Sequence, residues 1–475
     1  MMALSSLVYS SVHPDFALLE HEEVRSICCL LLEHVTQEEL DQLEPLHAFH
    51  VYRQGEAAAV LLSMPEEEDF LGQLEERLAS LGLCAGMSGP FSLGASAHGC
   101  MRKAQIALET GKKLAPGRAL YPMDEFGEKA LLLAAAGALE ADGYEAEDFC
   151  DQSIAQMRLI DEETGTQYAR SLQAYLRYGL DLRLAAQELG VHRNTLAYRM
   201  KRVQEVFGID LENVNTCFEL LFSFWLLDHL PKPKGRKNDA AFDVQSVEAA
   251  LFGYVQRRAE RYEAQCQGFE CRLFCVGVSG LTDEERIKLL RLLRGLERTQ
   301  CASAFDEDVL LFALSRQAYE GFEKRALPLC RQKGCCVVTT QAFEASRVVY
   351  RASLCRMALR AANSMHVRMQ DMASTLLFMT LERRFSLAPY LYEDVIRIMD
   401  EDAQRGSALS RSLYAYLLNF RDMKRAAQQL EMHRNTMEYH MRKIDTLIGK
   451  TAGEKQRFLM MCTYKMLALP DVRQE

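Results

Sequence analysis

The 475-residue sequence has no apolar run of the roughly 18–20 residues that a membrane-spanning helix needs, because its longest candidates are broken by charge. The opening Met1-Met2-Ala3-Leu4-Ser5-Ser6 lacks a basic segment followed by an apolar one, so no export signal is expected. No zinc-type cysteine–histidine spacing and no nucleophile-plus-base constellation stands out. His47 and His50 point to opposite faces of an expected strand, and His192 and His433 have no partner at ligand spacing. Neither a cofactor nor a metal is therefore expected, and no enzyme activity. Residues 1–100 hold no lysine and three arginines against sixteen Asp or Glu, so phosphate binding must be sought elsewhere in the chain.

Fifteen cysteines are present, but they are scattered through apolar surroundings, as at Cys28-Cys29, Cys335-Cys336, Cys271 and Cys275. A chain this long does not need disulfide staples, so buried thiols in a reducing cytoplasm are expected. The length suggests about three or four domains, and the 49% apolar and 26% charged content is that of a soluble globular protein. The net charge of −10 is not uniform. The stretch 171–208 carries six Arg or Lys against three acids, a local basic patch on an acidic protein.

That basic stretch occurs twice. Leu189 to Arg202 returns as Leu430 to Lys443 at a constant offset of 241 residues, and the match runs without a gap from Ser171–Gly208 to Ser412–Gly449 with nearly half the positions identical. Each copy is preceded by an acidic cluster, a glycine and a Ser or Thr: Asp161 to Thr166 in one, Asp400 to Ser407 in the other.

Along the chain, Phe16 to Val35 reads as a helix, and His47–Tyr52 and Ala57–Met64 as strands joined by Arg53-Gln54-Gly55-Glu56. A helix is expected from Pro65 to Leu81 with Gly82 as its stop, then a strand at Leu83–Ser88 and a helix at His98–Lys113. The second half shows a β-α-β-β-α-β order more clearly. Its strands are Cys271–Val278, Cys301–Phe305, Val309–Leu314 and Cys335–Thr340; its helices run from Thr282 to about Thr299, at Tyr319–Gln332 and, added at the end, at Ala345–Ala362. Residues 126–170 read as helical with a glycine break. Pro231 to Asp239 is an exposed basic linker.

The expected fold class is α+β, in two repeats, each an α/β sandwich of ferredoxin-like order followed by an all-α domain. The boundaries fall at 1–122, 123–230, 231–241 (linker), 242–364 and 365–475.

In the first copy of the repeated unit, Asp181 precedes a helix with Leu182, Ala185, Ala186 and Leu189; Gly190 breaks it, and a second helix starts near His192. Leu196, Met200 and Val203 form one apolar stripe on that helix. Helix, glycine-containing turn, helix is the helix-turn-helix arrangement, whose second helix reads the major groove of double-stranded DNA. The expected contact set is His192, Arg193, Asn194, Thr195, Tyr198, Arg199, Lys201 and Arg202. Its N-terminal Arg193 suits guanine O6/N7 and Asn194 suits adenine N6/N7, while Thr195 and the first-turn N–H groups suit phosphate. Arg199, Lys201 and Arg202 are placed for phosphate, with Tyr198 on the groove wall.

The second copy offers His433, Arg434, Asn435, Thr436, Tyr439, Arg442 and Lys443. It replaces Gly190 by Glu431, Ala197 by Glu438 and Arg199 by His440, so weaker binding or a different half-site is expected there. A solvated basic helix at the end of a bundle has the same pattern, but here the pattern occurs twice in one register.

The run Ala-Ala-x-x-Leu-x-x-His-Arg-Asn-Thr-x-x-Tyr, at Ala185–Tyr198 and Ala426–Tyr439, resembles the PucR/CdaR-type helix-turn-helix and is similar to the Fis-type unit. The resemblance implies a transcription factor controlling catabolic genes. The α/β segments, through Gly86-Met87-Ser88-Gly89-Pro90-Phe91, Ala104, Ala107-Leu108 and Ala358-Leu359, resemble the degenerate GGDEF-like domain that precedes such a unit. Cyclase activity is not expected, because the hairpins Arg53-Gln54-Gly55-Glu56-Ala57 and Asp306-Glu307-Asp308 lack the paired glycines that let backbone approach a phosphate.

The expected partners are double-stranded DNA, an effector of unknown identity, and a second copy of the chain unless the two units act as an intramolecular pseudo-dimer; no membrane is expected. The competing reading is a non-enzymatic interaction or scaffold protein in which one or both helix-turn-helix units are degenerate, or are covered by the acidic first domain.

Overall fold

The computed structural model describes residues 27–43, 48–54, 57–63, 69–91, 97–230, 240–256, 266–306, 308–449 and 454–470. The linker 231–239, the segment 16–26, the proposed helix start at Pro65, the hairpin tip Gly55-Glu56 and Glu307 lie outside these residues.

The first α/β domain is built from β1 (Ile27–Leu32), the short α1 (Gln37–Asp41), β2 (Ala48–Gln54), β3 (Ala57–Ser63), α2 (Phe70–Ser80), β4 (Ala85–Met87), α3 (Ala97–Leu114) and β5 (Leu120–Pro122). The expectation of a helix reaching Val35 fails at β1, which is the central strand of the order β2-β3-β1-β4-β5. Leu30 and Leu32 pack with Leu74 and Leu78 of α2 on one face. Cys29 and Leu31 pack with Ala104 and Leu108 of α3 on the other. A strand buried on both faces reads as an unbroken apolar run, with no period of two to separate it from a helix. The strands β2 and β3 are antiparallel, as the hairpin pattern required. On β4, a Cβ at Gly86 would lie 2.0 Å from the Ala104 carbonyl oxygen, so α3 can approach the sheet only over glycine there.

After α4 (Met123–Asp142) come a 3-10 turn (Ala146–Phe149) and the helices α5 (Gln152–Thr164), α6 (Tyr168–Arg177), α7 (Leu182–Leu189), α8 (Arg193–Phe207) and α9 (Val214–His229). The second α/β domain follows α10 (Val244–Val255), a helix the sequence reading did not anticipate. It comprises β6 (Glu270–Gly277), α11 (Asp283–Arg294), β7 (Cys301–Asp306), β8 (Val309–Ser315), α12 (Arg316–Gln332), β9 (Val337–Thr339), β10 (Phe343–Glu344), α13 (Val348–Ala361) and β11 (His366–Arg368). Its main sheet has the order β11-β9-β6-β8-β7, with β10 also on β6. Thr282 forms the expected capping box with Glu285. The parallel pair β9–β11 carries the sheet to Arg368, past the expected domain end at 364. The last helices are α14 (Ala373–Glu382), α15 (Glu393–Arg405), α16 (Leu409–Leu418), α17 (Met423–Gln429), α18 (Arg434–Ile448) and α19 (Glu454–Leu467).

The chain forms two compact units, and they do not follow chain order. One joins residues 1–138 to 381–468; the other joins 139–380 to 469–475. Each therefore combines the α/β domain of one half with the helical domain of the other. In the second of these units the buried Glu219 of α9 accepts hydrogen bonds from the Ser374 N–H and hydroxyl, both at 2.8 Å, at the start of α14. Phe222 meets Phe378 edge-on at 5.6 Å nearby. In the first, Lys103 of α3 donates to Glu393 and, at 3.3 Å, to the Leu391 carbonyl. All fifteen cysteines are free thiols and all but Cys84 and Cys336 are buried, as the sequence suggested.

Candidate nucleic-acid interface

The acidic lead-in to each helical unit is a helix cap. Gly165 (φ +68°) and Gly406 (φ +64°) end α5 and α15 in the left-handed region, turning the chain back over the last turn. Asp161 then accepts from the Tyr168 and Ala169 N–H groups at 2.7 and 2.9 Å and from the Thr166 hydroxyl at 2.7 Å. Asp402 does the same with Leu409, Ser410 and Ser407. Burial opposes ionisation of Asp402, but these hydrogen bonds outweigh it and hold its pKa below the ordinary value. Two orphan donors of each of α6 and α16 are thus satisfied, and the direction in which each enters its unit is set.

Two further caps build the helix-turn-helix. Asp181 accepts from the Arg183 and Leu184 N–H groups at 2.8 and 3.0 Å and opens α7; Asp422 does likewise for α17. His192 and His433 open the recognition helices α8 and α18, each Nδ1 accepting the N–H two residues on, at 3.3 and 3.2 Å. Both imidazoles are exposed, and each spends one ring nitrogen on its cap. Beneath α8, the stripe Leu196, Met200 and Val203 is buried with Leu172, Leu176, Ala185 and Ala186; in the second unit Met437, Met441 and Ile444 are buried with Leu413, Leu417, Ala426 and Ala427. Burying each large apolar side chain contributes about 1.5–3 kcal/mol. The stripe thus fixes which face of the recognition helix is left outward.

On that outward face Arg193, Asn194, Thr195 and Tyr198 are exposed, and Tyr198 keeps 63% of its surface although it is a large aromatic. Lys201 is exposed and lies 3.9 Å from Glu205, which also receives Arg202 at 2.9 Å. Arg199, expected on phosphate, is half-buried here. Its guanidinium turns inward and donates to the Ser171 hydroxyl at 3.0 Å and to Gln167 at 3.3 Å, bracing α8 against α6. At the matching position His440 Nδ1 lies 2.7 Å from the Ser412 hydroxyl. The exchange of Arg199 for His440 therefore alters an internal brace rather than a surface cation.

In the second unit Asn435, Thr436 and Tyr439 are exposed like their counterparts, Tyr439 at 60%. Arg434, however, is held by Glu438, Nε to Oε1 2.8 Å. Arg193 has no partner among the described residues, because Ala197 stands where Glu438 does. Lys443 reaches back to Glu401 of α15 at 3.2 Å, and Arg442 stays exposed. Glu431 takes φ +54° where Gly190 has φ +64°, so the turn does demand the left-handed region. Phe420 (φ +51°) likewise stands where Gly179 has φ +67°.

The sequence reading missed two features. The Arg434–Glu438 pair was visible as an i,i+4 spacing on a helix. The exposed Arg183 on α7, and Lys424 and Arg425 on α17, lie two or three residues after their capping aspartates, at the start of the helix that crosses the DNA backbone in this motif.

Geometry of this kind defines a helix-turn-helix domain, present twice. Residues 168–226 and 409–460 match the model of the PucR C-terminal helix-turn-helix domain. Both helix-turn-helix units are thus similar to the DNA-binding domain of PucR-type regulators. It is 31% identical over 80 residues to the proline-responsive transcriptional activator PutR of Bacillus subtilis, covering 17% of this chain and 20% of that one. The carbohydrate diacid regulator of Escherichia coli is 30% identical over 142 residues, covering 30% and 33%. The DNA-binding transcriptional activator AdeR of Bacillus subtilis is 29% identical over 68 residues, 14% and 16%. The aligned segments thus span a third or less of these relatives. A regulator of polyketide synthase expression from Bifidobacterium adolescentis, solved by crystallography, aligns to 48% of this chain and 94% of its own at 13% identity, with a TM-score of 0.24.

Proposed function

We propose that this protein is a cytoplasmic, sequence-specific DNA-binding transcriptional regulator. Its two helix-turn-helix units, products of a tandem duplication of a GGDEF-like domain and its helical partner, act as an asymmetric pair on major-groove half-sites. The observation that carries the asymmetry is the state of the tip arginine: Arg193 is exposed and has no partner among the described residues, while Arg434 is spent on Glu438. The first unit is the principal reader, through Arg193, Asn194, Thr195 and Tyr198, with Lys201 and Arg202 on phosphate once Glu205 is displaced. Arg199 is not in the contact set. Related units pair to span half-sites about 34–36 Å apart, and a chain carrying both is suited to bind as an intramolecular pseudo-dimer.

Selection of bound sequences from a random DNA pool, followed by binding assays on Arg193→Ala and Arg434→Ala variants, tests the reading. Loss of binding in the first and near-normal binding in the second is expected. Unchanged binding in both overturns it. A second reading follows from Lys443 and Arg434, which are both held by acids of their own unit: the second unit is a packing partner that does not touch DNA. A footprint covering one half-site only would favour it.

A further inference from the structure

We propose that the two halves of this chain are an exchanged pair of unlike partners: each helical domain carries a docking surface for the α/β domain of the other half, so residues 1–230 and 240–475 recognise each other without a covalent link. The docking surface occurs twice, once within each compact unit, at matching positions. In one, the Gln152 N–H at the start of α5 donates at 2.7 Å to Gln341 Oε1, in the loop after β9. In the other, Glu393 holds the matching place at the start of α15. It pairs with Lys103, and a Cβ built at Gly89, in the loop after β4, would lie 3.8 Å from the Glu393 Cβ. β4 and β9 are equivalent strands, each running parallel to the last strand of its sheet. The final helix of each helical domain makes the second contact. Asn215 of α9 donates at 3.1 Å to the Asp371 carbonyl just ahead of α14, and Lys455, also second in its helix, lies 2.6 Å from Glu128 of α4. A contact kept in both copies while its side chains differ belongs to the repeated unit itself.

The side chains that differ make the pairing specific. The first helical domain presents two buried acids, Asp148 and Glu219, each 2% exposed. The second α/β domain meets both. Arg347 and Arg351 converge on Asp148, Arg351 Nε at 3.3 Å, and the Ser374 N–H and hydroxyl donate to Glu219. The first α/β domain carries other residues at these places. Matching Ala107-Leu108 to Ala358-Leu359 puts Cys100 in the place of Arg351, and matching β5 to β11 puts Glu128 in the place of Ser374. The helical domains share an internal bond that sets their register: Ser223 accepts from the Asp151 N–H at 3.0 Å, and Thr463 from the Tyr392 N–H at 2.9 Å. In that register Pro389 stands where Asp148 does, and Leu459 where Glu219 does. Two first halves would therefore bury Asp148 against a thiol and Glu219 against Glu128. Two second halves would bury Arg351 with no acid to meet it. Leaving a buried charge without its partner is strongly destabilising, so only unlike halves satisfy the surface. Exchange of an identical element is a low-cost route to a dimer, and here the two copies have diverged until they fit only each other.

The test uses the full-length protein with a protease site, flanked by glycine and serine, inserted between residues 231 and 239. After folding, the chain is cut there, diluted, reconcentrated and weighed by native mass spectrometry. One complex of the two unlike halves is expected. Separated halves, or pairs of like halves in comparable amount, overturn the proposal. A dilution series then gives the dissociation constant of the cut protein. Arg351→Leu should raise it about tenfold or more, and adding Asp148→Asn should recover most of that loss, because the cost lies in the acid left short of a partner. A variant that had merely misfolded would not be rescued in this way. Lys103→Met, which frees Glu393, acts on the other copy of the surface and should also weaken association. Wild-type affinity in Lys103→Met, together with either wild-type affinity or an unrecovered loss in Arg351→Leu, overturns the docking surface. No DNA enters these measurements, so their outcome is independent of the DNA-binding reading.

Discussion

In the second recognition helix Arg434 Nε lies 2.8 Å from Glu438 Oε1, whereas its counterpart Arg193 faces Ala197 and has no partner among the described residues. An exposed pair at this spacing stabilises the helix by only about 0.3–0.5 kcal/mol, so it does not forbid DNA binding; it adds a carboxylate where phosphate and base edges would lie. Arg193→Ala should cost about 1–3 kcal/mol of DNA affinity, and Arg434→Ala less than about 0.5 kcal/mol. In the Arg193→Ala background, Glu438→Ala should recover affinity by about two- to fivefold, as one acid fewer faces the phosphates. Fluorescence anisotropy on a selected operator checks all three. A loss on Glu438→Ala would instead mean that this carboxylate reads a cytosine.

Backbone strain is the second asymmetry. Non-glycine residues in the left-handed region cost about 1–2 kcal/mol, and the second unit places Phe420 and Glu431 where the first has glycines. Glu431→Gly should therefore raise stability by about 1 kcal/mol, while Gly190→Ala should lower it by a similar amount. No atom lies within 4 Å of a Cβ built at Gly190, so the second effect would be conformational rather than steric. Urea denaturation with unchanged slope is the measurement.

Arg199 offers a test of role rather than of strength. Because its guanidinium donates to Ser171 and Gln167, Arg199→Ala should lower the unfolding midpoint and leave the salt dependence of DNA binding unchanged. Lys201→Ala should do the reverse, reducing the slope of log K against log salt by about 0.9. A reduced slope in Arg199→Ala would return that residue to the phosphate contacts.

Asp394 at the start of α15 predicts a pH dependence. Burial pushes its carboxyl up to about 6, with Arg397 opposing and Asp124 and Glu393 adding to the rise. A folded-state pKa above the unfolded value means that the native state binds the extra proton between about pH 4 and 6. Stability from this group is thus present at low pH and lost as pH rises through about 6. Asp394→Asn should stabilise the protein at neutral pH by up to about 3 kcal/mol and flatten that part of the profile. A steeper profile in the variant would contradict the assignment.

Much of the helix-turn-helix was legible because its signals are local. Asp181, Gly190 and His192 act within two or three residues of themselves, and the period of Leu196, Met200 and Val203 states the buried face directly. The reading failed at β1, where Ile27–Leu32 is apolar throughout because two helices cover it. It missed β5 and β11, three-residue strands whose identity depends on a parallel partner more than 25 residues away. It also placed Arg199 outward, since a long side chain at the margin of the buried stripe can turn either way and only the Ser171 hydroxyl decides.

The sequence by itself contained the repeat of the helix-turn-helix unit, the aspartate that opens its first helix and the break at Gly190, for these are interactions between near neighbours. It also contained the difference between the units, in Ala197 against Glu438 and Gly190 against Glu431. The tertiary structure alone decided which domain lies against which. The pairing of the second α/β domain with the first helical domain depends on Arg347 and Arg351 meeting Asp148 about 200 residues away, and on Glu219 capping Ser374 at a separation of 155. Contacts at such separations leave no periodicity in a sequence, because each side must only be buried and satisfied, and many partners would serve.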